Sequence, residues 1–430
     1  MAVFFLAGSP LLAAVPEAPP ETPREIRAAS LEDRLPAAVA AAQKAVEKAR
    51  GVPFRAAVAS ALLPEKDLAK VLSRKLTEDL PVPFDDYAAS LAAVGLLEPV
   101  PNLEKRLTNL YSRQVVGFYD PAEKRFYVVP ERSAQASSSA TGPETGPLVE
   151  EALLAHELTH ALQDQRLDLD RRMKRLKENG DALLALEAFL EGEATVVMAE
   201  VLVARLPAES RDLLGNDFLA EVVSNLGAAS AGAIEGADGV PELFVRELLF
   251  PYAAGTAWIR KIRSGNGWGP IDEVYKRLPE TTAEILHPEK RGTSRLRLSA
   301  TDRPRAEELP TGASVLYADT LGEFALSFLL EQAGAGEGAQ ALAASWQDDR
   351  ILFFQCPGAP APVGFVWRLR CATAGDASRL AEALEPLYAG RPEGRRPAVE
   401  IRADLVDVSL GACGRCVTKP EGVGGPPAPR

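Results

Sequence analysis

From Ala182 to Val203 the chain is nearly all Ala, Leu, Val, Met and Phe, and its only charges there are Glu187, Glu191, Glu193 and Glu200. A helix that is apolar on every side has to be surrounded by other elements. The run therefore predicts a central helix, Asp181–Leu206, in a largely helical fold. It also poses a chemical problem, because a buried carboxylate is costly unless a cation or a hydrogen-bond donor answers it. A metal ion is one such answer. Glu187 and Glu191, four residues apart, share a face, and Glu193 points to a different side. Gly192 leaves room for another backbone to approach.

Residues able to share such an ion stand upstream. His156-Glu157-Leu158-Thr159-His160 contains two of the chain's three histidines. Residues four apart on a helix lie on one face, so both imidazoles can reach a single ion. Glu157 projects beside them and can take a proton from a metal-bound water. Leu154, Leu158, Ala161 and Leu162 form an apolar stripe that buries the back of this helix. The competing reading is an amphipathic helix with two incidental histidines. A catalytic site needs a third protein ligand. Glu191 is the expected one, with Glu187 as a partner to a histidine or as the alternative ligand.

Together with Glu191-Gly192-Glu193-Ala194, the motif resembles the gluzincin-type zinc metallopeptidases (peptidase-MA-like, HExxH…EGxA). The resemblance implies a zincin-like core with His156, His160 and Glu191 as ligands of Zn2+. It implies Glu157 as general base on a zinc-bound water, and hydrolysis of peptide bonds in a peptide or protein substrate. The insertion between His160 and Glu191 is longer than in the aminopeptidase branch, which leaves Glu187 and Glu191 both open. Two further resemblances follow. A hairpin, Gln114–Tyr119 and Arg125–Val129 around Asp120-Pro121-Ala122-Glu123-Lys124, precedes the metal helix as a cleft-edge strand does in such enzymes. Phe250-Pro251-Tyr252-Ala253-Ala254-Gly255-Thr256 is similar to the YxxG helix that carries a tyrosine toward the metal. Tyr252 is then either a hydrogen-bond donor to the oxyanion or an ordinary packed aromatic. His287, after the capping box Thr281–Glu284, is a structural histidine or an aid to the oxyanion.

The expected class is α+β: a mainly helical zincin-like catalytic core with a small β-hairpin or sheet at the cleft, plus a small C-terminal α/β unit. The expected divisions are a signal-like apolar segment at 1–15, an N-terminal helical region at 16–112, the catalytic domain at 113–330 and the C-terminal unit at 331–430. Asp164–Asn179 reads as a solvated helix face, with Gly180 and Asp181 ending one helix and capping the next. Residues 133–147 and 225–240 read as loops. Ile351–Gln355, Gly364–Cys371 and Ala398–Leu410 read as strands, Asp376–Leu387 as a helix and Trp346–Arg350 as a turn.

Lys plus Arg number 48 against 60 Asp plus Glu, a net charge of −12. That argues against nucleic acid or anionic lipid as the main partner. Hydrophobic residues at 47% and charged residues at 25% exclude global disorder and a polytopic membrane protein. The opening MAVFFLAGSPLLAAV is too short and broken to span a bilayer. It resembles the apolar core of a secretory signal peptide, with no Lys or Arg before it, and so points to a secreted, periplasmic or cell-envelope protein. Cys356, Cys371, Cys413 and Cys416 are an even set that permits structural disulfides, although Cys413 and Cys416 could pair for redox or metal chemistry. No GxxxxGK[ST], no GxGxxG after a strand and no GxSxG occurs. The rival readings are a non-catalytic envelope scaffold that keeps a zincin fold and its metal, and hydrolysis of a non-peptide amide.

Overall fold

The computed structural model describes residues 24–78, 80–133, 145–205, 234, 236–265, 267–356, 363–392 and 395–411. Segment 1–15, residues 134–144, most of 225–240, and Cys413 and Cys416 lie outside the described residues. The class is α+β, with helices dominant and two small sheets among the described residues. The chain divides into two units. One is Met1–Phe84 with Val100–Gly292, and the other is Asp85–Pro99 with Thr293–Arg430.

The first unit begins with α1 (Arg24–Arg50), β1 (Ala59–Leu62) and α2 (Glu65–Glu78). Next comes α3 (Phe84–Val94), which belongs almost wholly to the second unit, and then α4 (Leu103–Gln114), β2 (Gly117–Asp120) and β3 (Arg125–Val128). The expected hairpin forms, but Gln114 ends α4 instead of opening the strand. The long helices follow: α5 (Thr145–Leu167), the short α6 (Leu169–Arg175), α7 (Gly180–Val203) and α8 (Glu242–Arg263). The short α9 (Gly269–Val274) and α10 (Thr282–Leu286) close the unit. Its sheet has the order β1-β3-β2, with β1 parallel and β2 antiparallel to β3, so β2 is an edge strand.

α7 is the central helix: every residue except Gly180, Glu200 and Leu202 is buried. Each leucine so enclosed contributes about 1.5–3 kcal/mol, and α5 and α8 are its main neighbours. α5 turns Ala155, Leu158, Ala161 and Leu162 into a core with Leu35, Val39, Ala42 and Val46 of α1, with Tyr119, Phe126 and Val128 of the sheet, and with Val197 and Val201 of α7. The helical spacing on α1 and α5 makes the two stripes meet. The cap of α7 is Asn179, whose side chain accepts from Ala182 N at 3.0 Å. Asp181, expected to be the cap, is buried and accepts from Thr282 N at 2.9 Å. Asp164 is not on a solvated face either. It is buried and accepts from Tyr119 Oη, Lys124 Nζ and Leu169 N at 2.7–2.8 Å.

The longer segment of the second unit, Thr293–Arg430, includes β4 (Ser314–Asp319), which pairs with a strand of the C-terminal sheet. After β4 come α11 (Gly322–Gln332), α12 (Gly338–Ala343), β5 (Trp346–Gln355), β6 (Val363–Cys371), α13 (Ala374–Ala389), β7 (Ala398–Arg402) and β8 (Leu405–Leu410). The sheet is antiparallel throughout, in the order β4-β5-β6-β8-β7. α3 joins this unit through Asp86, which accepts from Gln355 Nε2 at 2.8 Å. Ala398–Leu410 is a hairpin, not one strand, turning at Ala403 with φ 54°. Trp346–Arg350 opens β5 instead of forming a turn. Its acidic residues can enter the core because Asp349 is fully satisfied there. The carboxylate accepts from Leu321 N, Gly322 N, Trp346 Nε1 and Trp367 Nε1 at 2.9–3.0 Å. Cys356 is disulfide-bonded and Cys371 is a buried free thiol.

Candidate metal centre

His156 and His160 project from one face of α5 toward Glu191 on α7. His156 Nε2 lies 3.0 Å from Glu191 Oε2, His160 Nε2 lies 3.5 Å from the same oxygen, and the two Nε2 atoms are 3.2 Å apart. Ligand atoms about 2.1 Å from one tetrahedral ion stand about 3.4 Å from each other. The three separations bracket that value, so the group could hold a metal ion. All three residues are at most 2% exposed. Among the described residues, His156 Nδ1 and Glu191 Oε1 are buried without a hydrogen-bond partner.

The electrostatics of the cluster call for a cation. Burial opposes charge on Glu191, but His160 and the hydrogen bonds from both imidazoles outweigh it and bring the carboxyl down to about 2. Burial likewise opposes charge on His160, yet Glu191 and Glu157 lift it to about 9. Burial lowers His156, which has less carboxylate support. Without a metal, then, a proton on His160 supplies the positive charge beside Glu191. A metal ion in the same place would bring more charge, with the imidazole nitrogens as candidate ligands.

Glu157 is beside the cluster but not in it. Its Oε2 accepts from Tyr119 N at 3.0 Å, so an outward-facing amide of edge strand β2 holds the carboxyl. Burial pushes Glu157 up to about 8, within the range where a carboxyl can both take and return a proton near neutral pH. Lys75 pairs with Asp120 of the same strand at 2.7 Å, and Asp164 on α5 holds the Tyr119 hydroxyl. β2 is therefore tied to α5 at both backbone and side chain.

Tyr252 comes from α8 and does reach the cluster. Its ring stacks on His156 with centroids 6.1 Å apart, and its hydroxyl hydrogen-bonds Glu191. Burial first, and then the charges of Glu191 and Glu157, raise its pKa well above the ordinary phenol value. The phenol is thus a hydrogen-bond donor near neutral pH. The crossing of α7 and α8 explains how it gets there. A Cβ at Gly192 would lie 2.3 Å from the Gly255 carbonyl, and one at Gly255 would lie 1.9 Å from Ala188 O. Only glycine at both places lets the helices meet this closely.

Glu187 is buried one turn before Glu191 and acts electrostatically on Tyr111 and Tyr252, but it is not one of the three converging ligands. His287 lies at the end of α10, where its Nδ1 is 3.7 Å from Glu289 Oε1; it is outside the cluster. The sequence reading missed Gln163, whose Oε1 lies 2.9 Å from His160 Nδ1. It also missed Arg50, which reaches Glu193 Oε1 at 2.6 Å and stands over the Trp268 ring at 4.5 Å. Helical spacing marks Gln163 as a neighbour of His160. No local signal marks Arg50, which meets Glu193 across 143 positions of sequence.

A family model described as a domain of unknown function (DUF8575) matches residues 313–411. That stretch lies in the second unit and contains none of the metal-cluster residues. No curated protein and no solved structure matches the chain.

Proposed function

We propose that the protein is a zinc-dependent peptide hydrolase in which His156, His160 and Glu191 hold Zn2+ and Glu157 is the general base. The observation that supports this most is the convergence of the three ligand atoms to separations of 3.0–3.5 Å, with Glu157 alongside and not among them. Two imidazoles and one carboxylate are the donor set of a catalytic zinc site with an open fourth position. A bound zinc ion would supply Lewis acidity and lower the pKa of water. The chain's own residues do the rest. Glu157 takes the proton of the attacking water and returns it to the leaving amine. Tyr119 N–H orients that carboxyl, and the Tyr252 hydroxyl donates to the oxyanion forming on the substrate carbonyl. A peptide or protein substrate, and action outside the cytoplasm, follow from the gluzincin resemblance and the signal-like start.

The burial of the site favours one second reading, a non-catalytic scaffold with a structural metal. One pair of measurements separates the two. Zinc content of the wild type beside His156→Ala should show about one zinc per chain, lost in the variant. Incubation of zinc-loaded protein with a peptide library should then give cleavage products. Zinc without cleavage would favour the scaffold, and no zinc uptake would sink both readings.

A further inference from the structure

Three residues after His160, Gln163 points its side-chain amide back at the imidazole. Its Nε2 lies 2.9 Å from the carbonyl oxygen of Leu190 and 2.9 Å from Glu193 Oε2, while its Oε1 lies 2.9 Å from His160 Nδ1. A carbonyl and a carboxylate only accept, and an amide nitrogen carries two hydrogens. Both hydrogens of Gln163 are therefore engaged on α7. The reversed amide would set its oxygen against two other oxygens. So it is an acceptor that faces His160, and an acceptor there requires a hydrogen on Nδ1. That holds whether the imidazole is neutral or cationic. In the neutral imidazole the lone pair available to a metal is then on Nε2, the atom beside Glu191 and His156.

The orientation of Gln163 is itself imposed from behind. Glu193 Oε2 accepts from Gln163 and from the Tyr275 hydroxyl at 2.5 Å, and Glu193 Oε1 accepts from Arg50 Nε at 2.6 Å. Arg50 is buried, bonds Asp272 Oδ1 at 2.8 Å through a second guanidinium nitrogen, and lies over the Trp268 ring. Arg166 pins Asp272 at 3.1 Å and stacks on Tyr275 at 3.4 Å. Every group behind Gln163 is thus fixed by a second contact, and none can turn alone.

We infer that Gln163 is a positioning residue for His160, and that Arg50, acting through Glu193, locks it so that the His160 proton stays on Nδ1 and Nε2 is presented as the ligand atom. The last residue of α1 is thereby part of the site's architecture. The consequence for metal affinity rests on the zinc reading above; the placement of the proton does not.

The test uses full-length protein with 15N-labelled histidine, since three imidazoles in the whole chain give a simple spectrum. In metal-free wild type, at a pH high enough for the imidazole to be neutral, His160 is expected to carry its single proton on Nδ1. A His160 with a bare Nδ1 and a proton only on Nε2 would overturn the inference, and no variant needs to fold for that result. Zinc affinity is then measured by competition with a chromophoric chelator. Gln163→Leu, checked as folded by circular dichroism, should bind zinc roughly 10–100-fold more weakly and lose the fixed Nδ1 proton. A folded Gln163→Leu with wild-type affinity and an unchanged spectrum would overturn the inference. The first measurement needs no zinc, so a wild type that takes up none counts against the zinc reading alone.

Discussion

Gly192 and Gly255 are in backbone contact where α7 crosses α8: a Cβ at Gly192 would stand 2.3 Å from both the carbonyl carbon and oxygen of Gly255. The obstacle is backbone, which cannot swing aside, so Gly192→Ala has to separate the helices. Overpacking of this kind costs about 1–3 kcal/mol and sometimes more. Glu191 and Tyr252 sit next to the crossing on their respective helices. The variant is therefore expected to unfold at lower temperature and to bind zinc more weakly. Differential scanning calorimetry beside chelator competition checks both; a variant matching wild type in both would mean that the crossing is looser than described.

Glu157→Gln isolates proton transfer from architecture. The replacement keeps an oxygen for Tyr119 N–H, the bond that holds the native carboxyl at 3.0 Å. Metal content should therefore stay at the wild-type level. Turnover of a peptide substrate should fall by about 10²–10⁴-fold, the usual contribution of a positioned general base. Full activity in this variant would remove Glu157 from that role.

Asp349 is the corresponding key position of the second unit. Asp349→Ala strands four buried donors: the amides of Leu321 and Gly322 and the indoles of Trp346 and Trp367. An unsatisfied buried donor costs about 1–3 kcal/mol, so the loss should reach at least about 3 kcal/mol. Chemical denaturation followed by tryptophan fluorescence reads it directly, because two of the donors are indoles. A change below about 1 kcal/mol would show that water or local repacking replaces the carboxylate.

What could be read from the sequence was what helical periodicity carries. His156, His160 and Glu191 came from spacing four apart and from an apolar helix with too many carboxylates. Gly192 as a point of close approach came from the same helix, whereas Tyr252 came only from the resemblance of Phe250–Thr256 to the YxxG helix of the gluzincins. What escaped was non-local. Glu193 clearly pointed away from Glu191, but its partner Arg50 lies 143 positions off and nothing nearby announces it. Polar runs misled twice for one physical reason. Asp164 and Asp349 sit in charged, hydrophilic stretches, yet both are buried because backbone and ring donors converge on them. Composition shows that such residues prefer solvent, and only the fold shows that their hydrogen bonds are all made.

Protonation of the cluster makes metal-free stability depend on pH in a stated direction. Burial works against His160, but Glu191 and Glu157 hold it at about 9 against an ordinary 6.5. The folded state therefore binds this proton more tightly than the unfolded chain does. That contribution is complete below pH 6.5 and is lost as pH rises through 9. Burial places Glu157 at about 8 against 4.5, so its neutral form is favoured in the fold, and this contribution too disappears as pH rises through 8. Glu191 acts at the other end. Burial opposes its charge, but His160 brings it to about 2, so its contribution is present above 4.5 and lost only as pH falls through 2. On the alkaline side His160 and Glu157 act together, and metal-free protein should lose stability between about pH 6.5 and 9. Zinc replaces the His160 proton as the cation beside Glu191, so the loaded protein should lose far less over that interval. Melting temperatures between about pH 6 and 9.5, with and without zinc, test this. A metal-free curve that climbs toward pH 9, or a slope that zinc leaves unchanged, would refute the assigned protonation of His160 and Glu157.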